Sequence, residues 1–303
     1  MTGFFQELSK KLAERWVALL VVPGILVVVS AVVGWHLGHR HALNWSMAAR
    51  YVSDQVAAVA KLPGGTQAAV VVGLLIAASV TGLVVQAMAG VTRRLFLGTW
   101  PWPLAPLARR RVHRRRRRWD ELWTEQTTLE AAQPPAQRTL AEQEKIDTIA
   151  ARKNAIALAP PSRPTWIGDR MHGVGTVAWE RYRLDLTFGW SRLWLVLPEA
   201  TRAEITAAHA AFAAAVAVAG WSWPLLALGA LWWPTAVIGL VVGATGWVRA
   251  RDAVADLAAL TESALDLHGR ALAIALGAED ANATGPLTHA EGLKITATVR
   301  KGR

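Results

Sequence analysis

The chain has 303 residues, of which 53% are hydrophobic, and a formal net charge of +11. The hydrophobic residues come in blocks, which is typical of a membrane protein and not of a soluble domain. Cysteine is absent, which excludes a disulfide framework, a thiolate metal site and a cysteine nucleophile. Arginine outnumbers lysine 26 to 7 and alanine is abundant. This bias is typical of a high-GC bacterial genome, so the expected location is the bacterial plasma membrane.

Three windows without Asp, Glu, Lys or Arg predict the membrane spans. They lie between Arg15 and Arg40, from Leu62 to Thr92 and from Ile205 to Val248. One helix crosses the hydrocarbon layer in about 20 residues. The third window is about twice that length and therefore predicts a helical hairpin, broken at one of its two Trp/Pro clusters. We expect an all-α integral membrane protein with four transmembrane helices.

The windows also set the predicted boundaries along the chain. The first apolar run is longer than the core of a signal peptide, so it is expected to be a retained anchor. The predicted segments are a cytoplasmic amphipathic segment 1–15, the first span 16–37, an outer segment 38–66 with a short helix, the second span 67–90, a helical, basic cytoplasmic segment 91–204, the hairpin of spans three and four 205–248 (roughly Ile205–Trp223 and Ala230–Val248), and a cytoplasmic helix and tail 249–303.

The basic residues predict the orientation of the spans. Between the first two spans lie Arg40, Arg50 and Lys61, and the other 30 of the 33 basic residues lie elsewhere. Loops rich in Lys and Arg stay in the cytoplasm. Both termini and the segment 91–204 are therefore expected on the cytoplasmic side.

Two kinds of residue are expected at the membrane surface. In the outer segment, apolar residues recur at helical spacing after Asn44, a candidate helix N-cap, which suits a helix lying on the outer surface. Tryptophan is enriched at the membrane–water interface. Four tryptophans in Trp/Pro clusters are predicted interfacial anchors: Trp100, Trp102, Trp232 and Trp233.

A run of eight arginines in ten positions is the most basic feature of the chain. Each basic residue near an anionic leaflet contributes about 1 kcal/mol, so binding of lipid headgroups is the first interpretation. Nucleic acid is the weaker alternative, because Trp119 and Trp123 flank the run and do not interleave with it. A third interpretation is a topology determinant without a ligand. The predicted headgroup-binding residues are Arg109, Arg110, Arg111, Arg114, Arg115, Arg116, Arg117 and Arg118.

The rest of the cytoplasmic sequence predicts a platform for a protein partner. Residues 119–153 predict two polar helices broken at Pro134–Pro135, and residues 159–164 a linker. After the fourth span, apolar residues recur every three or four positions between 254 and 276, which indicates a helix with one face to cover. We expect this face to dock on a Trp-rich module, residues 164–204. The platform residues are Trp190, Trp194, Leu265, His268 and Leu272.

Three stretches resemble an uncharacterised family of four-span membrane proteins from high-GC bacteria. They are Phe4–Leu8 with Lys11–Trp16, the segment from Arg181-Tyr182 through Arg192-Leu193-Trp194 to Leu197-Pro198-Glu199, and Asp266-Leu267-His268. Together they cover well under half of the chain. The resemblance implies the four-span topology; the family has no established activity, so it implies none here.

Candidate chemistry along the chain is weak. Residues 173–178 fit the letters of a dinucleotide fingerprint, but no hydrophobic strand precedes them, as that motif requires. His36, His39 and His41 have no nearby carboxylate before Asp54 to complete a zinc site. We therefore expect no catalytic residue, no cofactor and no bound metal.

The spans contain no charged side chain, which speaks against ion-coupled transport. They do contain small residues at packing spacing, among them Gly239 and Gly243, which suits close helix contact within one chain or between copies. The function expected from the sequence is a non-catalytic membrane anchor or adaptor, a homo-oligomer that engages anionic lipids and a cytoplasmic protein partner. The alternative is a passive pore or channel, such as a membrane-permeabilising effector. A more distant one is a membrane-bound enzyme acting on lipid or cell-wall precursors.

Overall fold

The computed structural model describes residues 21–132 and 134–300, and within these ranges the protein is helical and has no strand. The chain forms two compact units. Of the described residues, 21–92 and 214–248 form the apolar unit, and 93–132, 134–213 and 249–300 form the basic unit. The predicted amphipathic segment 1–15 lies outside the described residues.

The described residues form eleven α-helices, with short 3-10 turns at Trp102–Leu104 and Pro135–Gln137. The helices are α1 (Val22–Leu37), α2 (Trp45–Ala60), α3 (Gly64–Phe96), α4 (Ala105–Ala132), α5 (Leu140–Ile156), α6 (Trp166–Tyr182), α7 (Leu186–Val196), α8 (Glu199–Gly220), α9 (Ser222–Leu228), α10 (Trp233–Ala275) and α11 (His289–Arg300).

Two stretches have the length and hydropathy of a membrane span. They are α3, with 33 residues, and the continuous pair α8–α9, Glu199–Leu228, with 30 residues. The apolar helix α1 is shorter, at 16 described residues, and α10 is not among the helices that meet both criteria. The predicted third span continues past Trp223 to Leu228, and the hairpin breaks at residues 229–232.

Close helix contacts hold the apolar unit together. A side chain on Gly24 of α1 would collide with the carbonyl of Ala78 of α3, so the two backbones approach directly. A Cβ on Gly34 would lie 2.7 Å from Cβ of Trp232. The indole Nε1 of Trp232 donates to the carbonyl oxygen of Ala42 at 3.0 Å. Small residues thus bring the helices of this unit close to one another.

The predicted packing residues Gly239 and Gly243 both face α9 of the same chain. A Cβ on Gly239 would lie 3.0 Å from the backbone nitrogen of Leu226, and one on Gly243 would lie 3.3 Å from Cβ of Ser222. Of the two interpretations that the sequence left open for these glycines, the structure shows contact within one chain.

The core of the basic unit joins α6, α7 and the first turns of α8 to the second half of α10 and to α11. Its fully buried side chains include Leu193, Ile205, Leu272 and Ile295. The stripe predicted between residues 254 and 276 supplies one side of this core, as Val254, Leu257 and Leu265 are also buried. Burying such side chains contributes about 1.5–3 kcal/mol each.

Polar caps fix where the helices of the basic unit begin. Thr139 and Glu142 form a reciprocal capping box at α5, and the Oγ1 of Thr165 accepts from the backbone N–H of Gly168 at 3.1 Å to cap α6. Thr288 and Glu291 cap α11 in the same reciprocal way. Each cap satisfies backbone N–H groups that the first turn leaves unpaired.

Candidate functional site

The arginine run lies on one long helix, α4, and seven of its eight arginines are exposed. The exposed residues point over most of the helix circumference, and Arg117 pairs with Glu121 one turn on at 3.0 Å. Arg115 is half-buried on the remaining face. The exposed arginines are Arg109, Arg110, Arg111, Arg114, Arg116, Arg117 and Arg118.

Arg115 is held inside the basic unit by Asp169, a residue that is 4% exposed. Its Nη2 and Nε donate to Oδ2 of Asp169 at 2.8 and 3.1 Å, and Nη2 also donates to the carbonyl oxygen of Ile156 at 2.7 Å. The other carboxylate oxygen, Oδ1, accepts from the backbone N–H groups of Ser162 and Arg163 at 2.8 and 2.7 Å. Arg115 therefore anchors α4 and is not part of the exposed cationic surface.

The same carboxylate orders the segment predicted to be a linker. Residues Ala159, Pro161 and Pro164 of this segment are buried. The segment connects the end of α5 to the start of α6. Asp169 accepts hydrogen bonds from the backbone N–H groups of Ser162 and Arg163 in this segment. Without it these two groups would be unpaired in a partly buried position. The segment is thus a packed connection.

A tryptophan pair joins α4 to α5. Trp119 and Trp123 stack with ring centroids 5.4 Å apart, and the Nζ of Lys153 on α5 lies 4.5 Å from the Trp123 ring. Trp119 Nε1 donates to the carbonyl oxygen of Ala157 at 3.1 Å. Burial lowers the pKa of Lys153, and the nearby carboxylate of Glu130 opposes this shift. The two predicted polar helices therefore form a packed hairpin on either side of Pro134–Pro135.

Apolar side chains precede the arginines on the same segment. Trp102 is 88% exposed, and Leu104 and Leu107 are also exposed. Trp100 is half-buried: its Nε1 donates to the carbonyl oxygen of Leu95 at 3.0 Å, and Arg111 lies over its ring at 5.8 Å. An exposed apolar wedge thus lies next to an exposed cationic helix, with Trp100 fixed between them.

The four predicted anchor tryptophans differ in their surroundings. Trp102 is almost fully exposed, and Trp233, at the start of α10, is also exposed. Trp100 and Trp232 instead donate hydrogen bonds to backbone carbonyls inside their own units. An exposed indole suits insertion into the membrane–water interface. The indoles of Trp100 and Trp232 instead stabilise the fold through their hydrogen bonds to the backbone.

Most of the predicted platform residues are part of the core of the basic unit or pack against it. Leu265 and Leu272 are buried in the core cluster, and Trp190 and Trp194 pack against it. His268 is half-buried. The docking of the stripe on the Trp-rich module is therefore present in the structure, as a contact within the basic unit.

Two ion pairs that were not predicted from the sequence hold α11 against the rest of the basic unit. Arg300 of α11 pairs with Asp185, the cap of α7, at 2.6 Å, and Arg270 of α10 pairs with Glu291 of α11 at 2.9 Å. Burial disfavours the ionised form of Asp185, but the hydrogen bonds from Arg300 and Thr187 outweigh it and lower the pKa of that carboxyl. The spacing Thr288-x-x-Glu291 is a capping-box signature and could have revealed α11.

A second polar cluster lies between α6 and α10. The hydroxyl of Tyr182 donates to Asp266 at 2.5 Å, and burial together with this bond raises the pKa of Tyr182 to about 12. Burial also raises the pKa of Glu262, against the attraction of Arg170. The Oε1 of Glu262 is buried and has no hydrogen-bond partner among the described residues.

The histidines and the Gly-rich stretch considered in the sequence have other surroundings in the structure. No group of three or more His, Asp or Glu side chains among the described residues is placed to hold a metal ion. His36 stacks on Tyr51 at 3.9 Å, and His39 Nε2 contacts the carbonyl oxygen of Ala230 at 2.8 Å. The Gly-rich residues 173–178 lie in the middle of α6, so they do not form the strand-to-helix turn of a dinucleotide site.

A cavity of 170 Å³ lies beside the core of the basic unit. It is lined mainly by apolar side chains, including Val174, Trp190 and Leu257. His209 also lines it, and its Nδ1 contacts the carbonyl oxygen of Ile205 in its own helix at 3.0 Å. Thr261 lines it as well, and its hydroxyl donates to the carbonyl oxygen of Leu257 in its own helix at 2.7 Å.

Comparisons of the chain with protein-family models, with curated proteins and with solved structures find no match. The resemblance to a four-span family therefore stays a prediction.

Proposed function

We propose that the protein is a non-catalytic, multi-pass membrane anchor whose exposed arginine helix α4 binds anionic lipid headgroups. In this proposal α1, α3, α8–α9 and the first half of α10 are the four spans. The basic unit lies in the cytoplasm, apart from the part of α8 that continues into the third span. The observation that carries the proposal is the exposed apolar wedge at Trp102–Leu107 followed directly by seven exposed arginines.

The exposed apolar surface of α3 supports a membrane location. In its most apolar stretch 17% of the residues are buried within the chain. Large side chains such as Leu75, Ile76 and Leu83 are exposed. A contiguous apolar surface of this kind marks a membrane or partner contact. In a bilayer the helix also satisfies its own backbone hydrogen bonds.

Electrostatics support headgroup binding by α4. Each arginine near an anionic leaflet contributes about 1 kcal/mol, and guanidinium groups bind phosphate in a bidentate manner. The pairing of Arg117 with Glu121 is exposed and contributes at most about 1 kcal/mol, so it does not block that arginine. Trp102, Leu104 and Leu107 add apolar area for insertion at the headgroup boundary.

The proposal includes a cytoplasmic protein partner and self-association. Because Leu265 and Leu272 are buried, a partner would contact the outer side of the platform, where Leu195 and Leu267 are exposed. Self-association does not depend on the glycines of α10, because these contact α9 of the same chain.

The absence of cysteine allows a direct test on the full chain. A single cysteine at His113, an exposed position within the run, is labelled with an environment-sensitive fluorophore, and the protein is reconstituted in nanodiscs. The proposal expects a blue shift in anionic nanodiscs relative to neutral ones. High salt should reverse the shift, because it screens exposed charges.

A matched pair of charge variants assigns the effect to the helix. Neutralising Arg110, Arg114 and Arg117 with glutamine removes about 3 kcal/mol of attraction and should abolish the anionic shift. The control neutralises three exposed basic residues elsewhere, Lys145, Arg152 and Lys294. An equal shift in neutral nanodiscs, or equal loss in both variants, would contradict headgroup binding by α4.

A further inference from the structure

A groove of 540 Å³ runs between α1 and α2 in the apolar unit. Its walls are valines of α1, apolar residues of α2 and one tryptophan that precedes α10, together with the hydroxyls of Ser30 and Ser53. Among the residues that the structure describes, no charged side chain lines it. Its lining includes Val29, Val33, Trp45, Ala48, Val52 and Trp232.

Contacts at one end of the groove fix the distance between its walls. His36 of α1 stacks on Tyr51 of α2 with centroids 3.9 Å apart. Trp232 is held by its bond to Ala42 at 3.0 Å, and His39 contacts Ala230 at 2.8 Å. The walls are therefore held by the fold and do not need a ligand to bring them together.

The groove reaches along α1 away from its end at Leu37. With a rise of 1.5 Å per residue, Val33 and Val29 lie about 6 and 12 Å from that end. In the four-span arrangement, on which this inference rests, that depth is within the hydrocarbon layer. The apolar side chains Trp45, Val52 and Val56 recur on one face of α2, which is typical of a helix in the membrane interface.

We propose that this groove binds an acyl chain of an outer-leaflet phospholipid. Seven of the nine lining residues are apolar, with the hydroxyls of Ser30 and Ser53 as the polar exceptions, and a mainly apolar recess of this kind suits a hydrocarbon chain. A soluble partner cannot reach hydrocarbon depth, whereas acyl chains surround the helix at that level. The exposed Arg50, next in sequence to the lining residue Ala49, supplies a cation for the phosphate at the membrane surface.

The occupant can be mapped by photochemistry on the full chain in nanodiscs. A phospholipid with a diazirine in its acyl chain is included, illuminated, and the adducts are located by mass spectrometry. The inference expects adducts concentrated on α1 and α2 around Val33 and Val52. The internal reference is the exposed face of α3 at Val70 and Val72, which meets ordinary surrounding lipid.

A variant that fills the groove provides the second arm. Ala48→Phe places a ring in the recess, and adducts on α1 and α2 should fall about fivefold or more because the overfilled space excludes the chain. Ala57→Phe makes the same change at an exposed position of α2 outside the lining and should leave the adducts unchanged.

Labelling no denser in the groove than on α3 would overturn the inference from the wild-type protein alone, even if Ala48→Phe fails to fold. Equal labelling in the two variants would also overturn it. A free fatty acid analogue that labels the groove better than the phospholipid would reject the phospholipid as occupant. These outcomes leave headgroup binding by α4 intact. A topology in which α1 does not span the membrane would reject the four-span proposal and the groove together.

Discussion

Arg115 and Asp169 lie 54 positions apart in the sequence and form two hydrogen bonds, at 2.8 and 3.1 Å. Arg115 belongs to a run of arginines that otherwise faces solvent, and Asp169 lies in the first turn of α6. The pair fixes which face of α4 is turned inward. The half-buried Arg115 thus sets the rotation of the helix that presents the seven exposed arginines.

Removing this carboxylate should destabilise the basic unit. Asp169→Ala leaves the half-buried Arg115 and two backbone N–H groups without an acceptor, and we expect a loss of about 3 kcal/mol or more. The matched change Glu121→Ala breaks the exposed pair with Arg117 and should cost at most about 1 kcal/mol. Hydrogen exchange of the α6 amides measures both losses. Similar losses in the two variants would contradict a structural role for Asp169.

The core of the basic unit should distinguish two leucines of α10. Leu272 is 1% exposed and Leu267 is 77% exposed. Leu272→Ala should cost about 2–5 kcal/mol, because it opens a cavity, whereas Leu267→Ala should change stability by about 0.5 kcal/mol or less. Limited proteolysis of membranes between Pro160 and Glu204 measures the difference. Unchanged digestion of the Leu272 variant would contradict docking of α10 on the Trp-rich module.

Two helical glycines should respond in opposite directions to alanine. A Cβ on Gly292 of α11 would collide with the carbonyl of Tyr182, whereas a Cβ on Gly175 of α6 would meet nothing within 4 Å. Gly175→Ala should stabilise the protein by about 0.5–1 kcal/mol through helix propensity. Gly292→Ala should instead release α11, seen as faster cleavage near residue 290. Stabilisation by both changes would contradict the close packing of α11.

Glu262 should make stability depend on pH. Its pKa is raised by burial, so the folded state favours the protonated form. The stability due to that form is fully present below the ordinary glutamate pKa of about 4.3. It is lost as the pH rises through the raised pKa. Glu262→Gln should therefore raise the melting temperature at neutral pH and have little effect in acid. The control is the exposed Glu180→Gln; equal responses would contradict the assignment.

The four-span topology predicts the sides of four positions. A reporter active outside the cytoplasm should be silent when fused after Arg94, Gln143 or Arg303. It should be active after Arg50, because the positive-inside rule places the segment between the first two spans outside. Expression of each fusion is checked with a second reporter that is active in the cytoplasm. Activity of the first reporter after Gln143 would reject the four-span arrangement.

Local patterns in the sequence predicted much of the helical structure. Asn44 caps α2 as expected, accepting from the backbone N–H of Met47 at 3.0 Å. The apolar stripe of α10 lies in the core, and α4 and α5 are separated at Pro134–Pro135. Periodicity, caps and prolines act over a few residues, so they can be recognised without knowledge of the fold.

Pairs that are distant in sequence were not predictable in this way. Nothing local marks Arg115 among eight arginines as the partner of Asp169. Likewise, nothing local joins Asp185 to Arg300 across 115 positions. Helix α11 has few large apolar side chains, and it is held by ion pairs and by the close contact at Gly292. Such contacts depend on the tertiary arrangement, which a single sequence does not reveal.

The basic unit is built from two separated parts of the chain, with residues 214–248 of the apolar unit between them. Its closing contacts join Asp185 to Arg300 and Tyr182 to Asp266. During synthesis, the apolar faces of α6 and α7 therefore stay uncovered until the second half of α10 and α11 have been synthesised. Closing so long a loop is slow. In the proposed topology, membrane insertion of the hairpin should therefore precede folding of the basic unit, and a chain arrested before residue 250 should present α7 to chaperones and proteases.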